Sequence, residues 1–83
     1  MGEIDLVAKD GNEIVFVEVR LRKSNRFGSA AETIDQRKQQ RIRRTAQVYL
    51  QQCRQNDTAC RFDVVAITGT PDNYQLEWIR DAF

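Results

Sequence analysis

Apolar and polar positions alternate from the start of the chain. Between Gly2 and Lys9, Ile4, Leu6 and Ala8 fall on one side of an extended segment, with Glu3, Asp5 and Val7 on the other, the period of two expected of a strand. Asp10-Gly11-Asn12 tolerates positive φ, and Glu13 to Arg22 is rich in β-branched residues, so the two runs predict a β-hairpin. Ser24 to Ala31 reads as a loop in which Ser29-x-x-Glu32 resembles a capping box. From about Thr33 to Cys53 the period changes: Ile34, Ile42, Ala46, Tyr49, Leu50 and Cys53 recur at three- and four-residue steps and predict a helix. Arg61 to Ile67 reads as a buried strand, Thr68 to Asn73 as a loop around Pro71, and Tyr74 to Ile79 as a last strand whose Tyr74 and Trp78 are expected in the core.

The order is therefore ββαββ, an α/β fold. A long helix between the hairpin and the buried strand predicts a right-handed crossover, with Arg61 to Ile67 parallel to one hairpin strand and the helix across the sheet. With 83 residues, 41% of them hydrophobic, one domain spans 1–83, near the size at which a single core becomes marginal.

The longest aliphatic or aromatic runs, Ile14 to Val17 and Val64 to Ile67, fall far short of the ~20 residues that cross a bilayer. Neither a membrane span nor a signal peptide is expected, which points to the cytoplasm. Histidine is absent, which excludes the usual Cys/His zinc clusters and any His-based triad. Cys53 and Cys60 are then expected as reduced thiols, with a disulfide between them left open.

A net charge of +1 conceals two unlike regions: Arg20 to Arg54 carries ten Lys/Arg against Glu32 and Asp35, for +8, while the rest sums to −7. The basic middle suits a phosphate-binding surface or, equally, a solvated helix face.

The sharpest chemical pattern is Asp5 followed by Glu18-x-Arg20 on the next strand. Glu18 and Arg20, two apart, share a face. A Gly11-Asn12 loop places Asp5 opposite Glu18, an Asp10-Gly11 loop places them diagonally, and a three-residue loop would separate them. Two converging carboxylates repel unless a cation intervenes, and Mg²⁺ is suited by two carboxylates, waters and a substrate phosphate. Lys38 interrupts the apolar helix stripe, four residues from both Ile34 and Ile42, so it either snorkels or meets negative charge. Arg37, Arg41 and Arg44 recur on a neighbouring helix face and, with Arg22, Lys23 and Arg26, could line a phosphate track. The alternative is ordinary alternation of charges on half-exposed elements.

At GEIDLVA (Gly2 to Ala8), VFVEVR (Val15 to Arg20), the helix bearing Lys38, RFDVVAI (Arg61 to Ile67) and the closing DAF (Asp81 to Phe83), the chain closely resembles the YraN family from end to end. That family looks like the PD-(D/E)XK nuclease superfamily, near archaeal Holliday-junction resolvases. The resemblance implies a restriction-endonuclease-like mixed sheet with an αβββαβ core and Mg²⁺- or Mn²⁺-dependent phosphodiester hydrolysis of nucleic acid, DNA before RNA. It matches Asp5 to the motif aspartate, Glu18 to the second acidic position, Arg20 to the motif lysine and Lys38 to the basic residue of the following helix. On this reading Asp5, Glu18 and the Val19 carbonyl hold the metal, while Arg20 and Lys38 stabilise transition-state charge.

Two departures follow from the same resemblance. The family's N-terminal helix, with its glutamate, and the strand after it have no counterpart before Met1, so the expected core is N-terminally truncated and cleaves poorly. Arg20, always protonated, cannot act as a general base. A nucleic-acid-binding module without catalysis is therefore a competing expectation. So is a plain interaction domain that forms homodimers through an open sheet edge.

Overall fold

The structure, a computed structural model, describes residues 4–23, 34–54 and 58–83. Five elements follow one another as expected: β1 (Leu6–Asp10), β2 (Glu13–Arg22), α1 (Gln36–Gln52), β3 (Cys60–Thr70) and β4 (Asn73–Ile79). They form a four-stranded mixed sheet in the order β1-β2-β3-β4. The arrangement is consistent with a ββαββ, restriction-endonuclease-like fold.

Turn chemistry sets the hairpin register. Asp10 pairs with Glu13, which leaves Gly11-Asn12 as the turn, and Gly11 supplies the left-handed φ of 61° that such a turn demands. The chain then crosses through α1 and returns as β3, parallel to β2, with Phe16 opposite Phe62 and Glu18 opposite Val64. β3 doubles back antiparallel into β4, with Thr70 paired to Asn73. The reversal is the Pro71-Asp72 turn, and Gly69, paired with Tyr74 just before it, has a φ of 119° and sits where a Cβ would run into the Asn73 carbonyl oxygen.

Asp35 caps the helix, its carboxylate accepting the Lys38 N–H at 2.8 Å. Arg54, at φ 56°, closes the far end in the left-handed conformation typical of a helix stop. Ile42, Ala46 and Leu50 form the buried stripe. They join Ile14, Phe16, Phe62, Val64 and Ala66 in one core cluster, the alternate residues of β2 and β3 that face the helix. Phe16 stacks on Phe62 at 5.5 Å and takes the edge of Tyr49 at 5.8 Å, each pair worth roughly 0.5–1.5 kcal/mol beyond burial. Phe83 stacks on Phe62 in turn, and the Ala82 N–H donates to the Phe62 carbonyl at 2.7 Å, fastening the final residues to the core.

Several details differ from the sequence reading. β1 begins at Leu6, because Asp5 uses its side chain where the ladder would continue. Tyr74 and Trp78, expected in the core, are 57% and 47% exposed; they lie on the sheet face away from α1, and nothing in an alternating pattern says which face a helix will cover. Cys53, placed on the helix stripe, is exposed, and both cysteines are free thiols. The Ser29-x-x-Glu32 spacing lies outside the described residues. Among the described residues no helix is long and apolar enough to cross a membrane.

Candidate functional site

Glu18 sits on the helix-facing side of β2 and is 5% exposed. Burying a carboxylate there is unfavourable unless it is paired, and the partner comes from α1. Lys38 Nζ lies 2.8 Å from Glu18 Oε1, so the lysine that breaks the apolar stripe meets negative charge and does not snorkel into water. Its position in the first turn opposes the helix dipole, which disfavours a cation at the N-terminal end; the carboxylate beneath offsets that penalty. Glu18 Oε2 is buried and, among the described residues, has no hydrogen-bond partner. An orphaned carboxylate oxygen costs about 1–3 kcal/mol or more, and such an atom in a folded protein calls for a functional or solvent partner.

Asp5 lies at the open end of the same strand pair. Leu6 is paired with Val17, so one further step along the register sets Asp5 opposite Glu18. The Asp5 carboxylate accepts the Val19 N–H at 2.9 Å, which ties it to the peptide next to Glu18. Arg20, half-buried, follows on the Glu18 face of β2.

Among the described residues no three His, Cys, Asp or Glu side chains converge. A cation here would therefore rest on Asp5, Glu18 and backbone oxygen, with water and phosphate completing its shell. Mg²⁺ and Mn²⁺ accept that donor set, and the orphaned Oε2 supplies the free acceptor such an ion needs.

The remaining basic candidates divide. Arg37, Arg41 and Arg44 are exposed on α1 and lie on one helix face, beside the turn that carries Lys38. α1 contains five basic residues and no acidic one. Arg22 shares the face of Glu18 and Arg20, whereas Lys23, one residue on, continues the alternation to the opposite side. Arg26 lies outside the described residues. Arg43, which the sequence reading left unassigned, lies over the Phe62 ring at 5.0 Å and the Phe83 ring at 5.6 Å, a structural use of a helix cation.

The other sheet face holds a polar network that sequence reasoning missed. Asp63, completely buried, accepts from Arg61 Nε at 3.0 Å, from Trp78 Nε1 at 2.8 Å and from the Asp81 N–H at 3.0 Å. Arg61 also reaches Asp10 at 3.0 Å and Glu13 at 3.1 Å. Burial works to raise the Asp63 pKa, but the bonds from Arg61, Asp81 and Trp78 overcome it and hold the carboxyl below its ordinary value. Arg61 is pushed the other way, chiefly by its bond to Asp63 and then by Asp10. The signal was the Arg61-x-Asp63 alternation on β3, legible only once β3 is set beside the β1–β2 turn.

Fold and site together define a small α/β domain in which a helix lysine clamps a buried strand carboxylate. Residues 1–67 match the uncharacterised protein family UPF0102, and the chain belongs to that family. UPF0102 proteins of Hahella chejuensis and Shewanella amazonensis are 51% and 52% identical to it over 82 residues. One from Yersinia pseudotuberculosis is 54% identical over 84 residues. Each comparison covers 99% of this chain but only 65%, 71% and 68% of the respective relative, so the chain spans about two thirds of their length.

Proposed function

We propose that this domain acts on nucleic acid through a divalent-metal site built from Asp5 and Glu18, with phosphodiester hydrolysis of DNA as its chemistry in a cytoplasmic setting. One observation carries the reading: Glu18 is buried with one oxygen on Lys38 and the other without a partner among the described residues. A purely structural carboxylate would have both oxygens satisfied, as Asp63 does. The resemblance of this site to PD-(D/E)XK nucleases agrees in residue type at Asp5, Glu18 and Lys38.

When bound, Mg²⁺ or Mn²⁺ would acidify a water and polarise the phosphoryl oxygen. Asp5 and Glu18 would hold the ion, and the carbonyl of Val19, whose N–H Asp5 accepts, would be the third ligand. Lys38 holds Glu18 in place through Oε1, and with Arg20 it places positive charge where the phosphorane charge grows. Arg20 serves only as a cation, since guanidinium does not give up its proton. Arg37, Arg41, Arg44 and Arg22 provide phosphate contacts, with Arg26 a further basic residue beyond β2 in the sequence.

A second reading is favoured by a specific pair of facts: Lys38 already neutralises Glu18 Oε1, and Arg20 stands where a lysine could have taken a proton. In that case the domain binds nucleic acid and cleaves nothing. The test is to incubate the chain and its Glu18→Gln variant with duplex, single-stranded and four-way-junction DNA, with and without Mn²⁺, following both anisotropy and cleavage. Metal-dependent cleavage lost in Glu18→Gln supports the first reading, and salt-sensitive binding without cleavage supports the second. No affinity for any substrate at low salt overturns both.

A further inference from the structure

The sheet face opposite α1 carries a run of exposed apolar side chains. Leu6 is 57% exposed, Leu21 78%, Tyr74 57%, Leu76 59% and Trp78 47%, and half-buried Val19, Val65 and Ile67 lie between them. The pairings put these residues in adjoining rows: Val19 beside Val65 beside Trp78, then Leu21 beside Ile67 beside Leu76. At ~150–250 Å² for a large side chain, the exposed parts of the five large residues alone amount to roughly 550 Å². A typical monomer's largest apolar patch reaches about 300–600 Å², and one side of a standard interface buries about 800 Å². With the half-buried valines and isoleucine added, this face has the area of one side of an interface.

Its charges lie at opposite ends. The β1–β2 turn end bears the carboxylates of Asp10, Glu13 and buried Asp63 against the guanidiniums of Arg61, which pairs with all three, and of Arg80, which lies over the Trp78 ring at 4.2 Å, so three negative charges face two positive ones and that end keeps a net charge of −1. The other end of β2 leads into exposed Lys23. These positions are ten residues apart along β2, about 33 Å of strand.

We infer that this face is the self-association surface of the chain, and that two copies stack sheet on sheet about a twofold axis running across the strands near the Val19–Val65 row. That axis reverses strand direction between copies. The apolar rows meet, and Lys23 of each copy comes over the end bearing Asp10 and Glu13 of the other. A face that is apolar in the middle and oppositely charged at its ends is complementary to itself only in this antiparallel sense. Two sheets packed this way lie ~10 Å apart, a gap that a lysine side chain bridges. Both Glu18–Lys38 sites then face outward, on the far sides of the two sheets.

Sedimentation of the 83-residue chain from low micromolar to several hundred micromolar tests the proposal. The expected result is a monomer–dimer equilibrium, with mass doubling from 9.7 kDa. Leu76→Glu, at an exposed position on β4, should weaken it at least 100-fold while circular dichroism stays unchanged. Lys23→Glu and Asp10→Lys should each weaken it about tenfold, and mixing the two variants should restore association, because of the two contacts in the mixed dimer one is then the charge-reversed pair and the other the native pair. A monomer at every concentration overturns the proposal and assigns the face to another occupant. Association indifferent to Leu76→Glu places the interface elsewhere, and failure of the mixed pair to recover refutes the antiparallel stacking.

Discussion

Replacing Lys38 with methionine removes the ammonium while keeping a side chain of similar length. Glu18 then remains 5% exposed without its cation, and both carboxylate oxygens lack a protein partner among the described residues. Removing one member of a fully buried ion pair costs ~3–5 kcal/mol. Lys38 is 26% exposed along its side chain, so solvent relieves part of that, and the loss expected for Lys38→Met is about 2–3 kcal/mol. For a chain of this size, at ~4–8 °C per kcal/mol, the melting temperature should fall by roughly 10–20 °C.

Urea unfolding followed by circular dichroism gives the number directly. The double variant Glu18→Gln, Lys38→Met should regain at least half the loss, because no buried charge is left behind. Divalent metal separates the structural from the functional role of the pair. With Oε1 released, Mn²⁺ should stabilise Lys38→Met more than it stabilises the parent, and at one hundred times the variant's own dissociation constant the ion should add ~2.7 kcal/mol to the variant. A Lys38→Met variant within about 0.5 kcal/mol of the parent, well inside the range of ordinary surface substitutions, would refute the buried pairing. Equal stability in the presence and absence of Mn²⁺ would refute the metal site.

Other substitutions probe separate parts of the structure. Asp5→Asn keeps an oxygen that can accept the Val19 N–H, so metal-free stability should change by less than ~1 kcal/mol, while Mn²⁺ affinity measured by calorimetry drops at least tenfold. Asp63 is held below its ordinary value, so its stabilising contribution is complete above the unfolded carboxyl pKa of ~3.9 and is lost as pH falls through the folded value. Acid unfolding scans should therefore show a loss beginning below about pH 4, and in Asp63→Asn that part of the curve should flatten on a lower baseline. Gly69→Ala meets both a left-handed φ of 119° and the Asn73 carbonyl, and thermal melts should show a loss of about 1–3 kcal/mol.

Local sequence was sufficient for the elements themselves. The hairpin itself was legible, but its register was one of three that the sequence left open: the structure selects the Gly11-Asn12 turn with Asp10 paired to Glu13, and that register puts Asp5 opposite Glu18 because side chains alternate strictly along a strand. The shared face of Glu18 and Arg20, the apolar stripe of Ile42, Ala46 and Leu50, and the parallel return into β3 follow from the same short-range periodicities and from the length of the crossover. Alternation, however, sorts residues into two faces without saying which face a helix will cover. For that reason Tyr74 and Trp78, aromatic residues of the kind that fill small cores, lie exposed, while Asp63, polar on a strand that reads as buried, is buried with both carboxylate oxygens hydrogen-bonded. The Glu18–Lys38 contact likewise spans separate elements. Whether that lysine snorkelled or paired depended on where α1 came to rest on the sheet, a choice made by packing across the whole core.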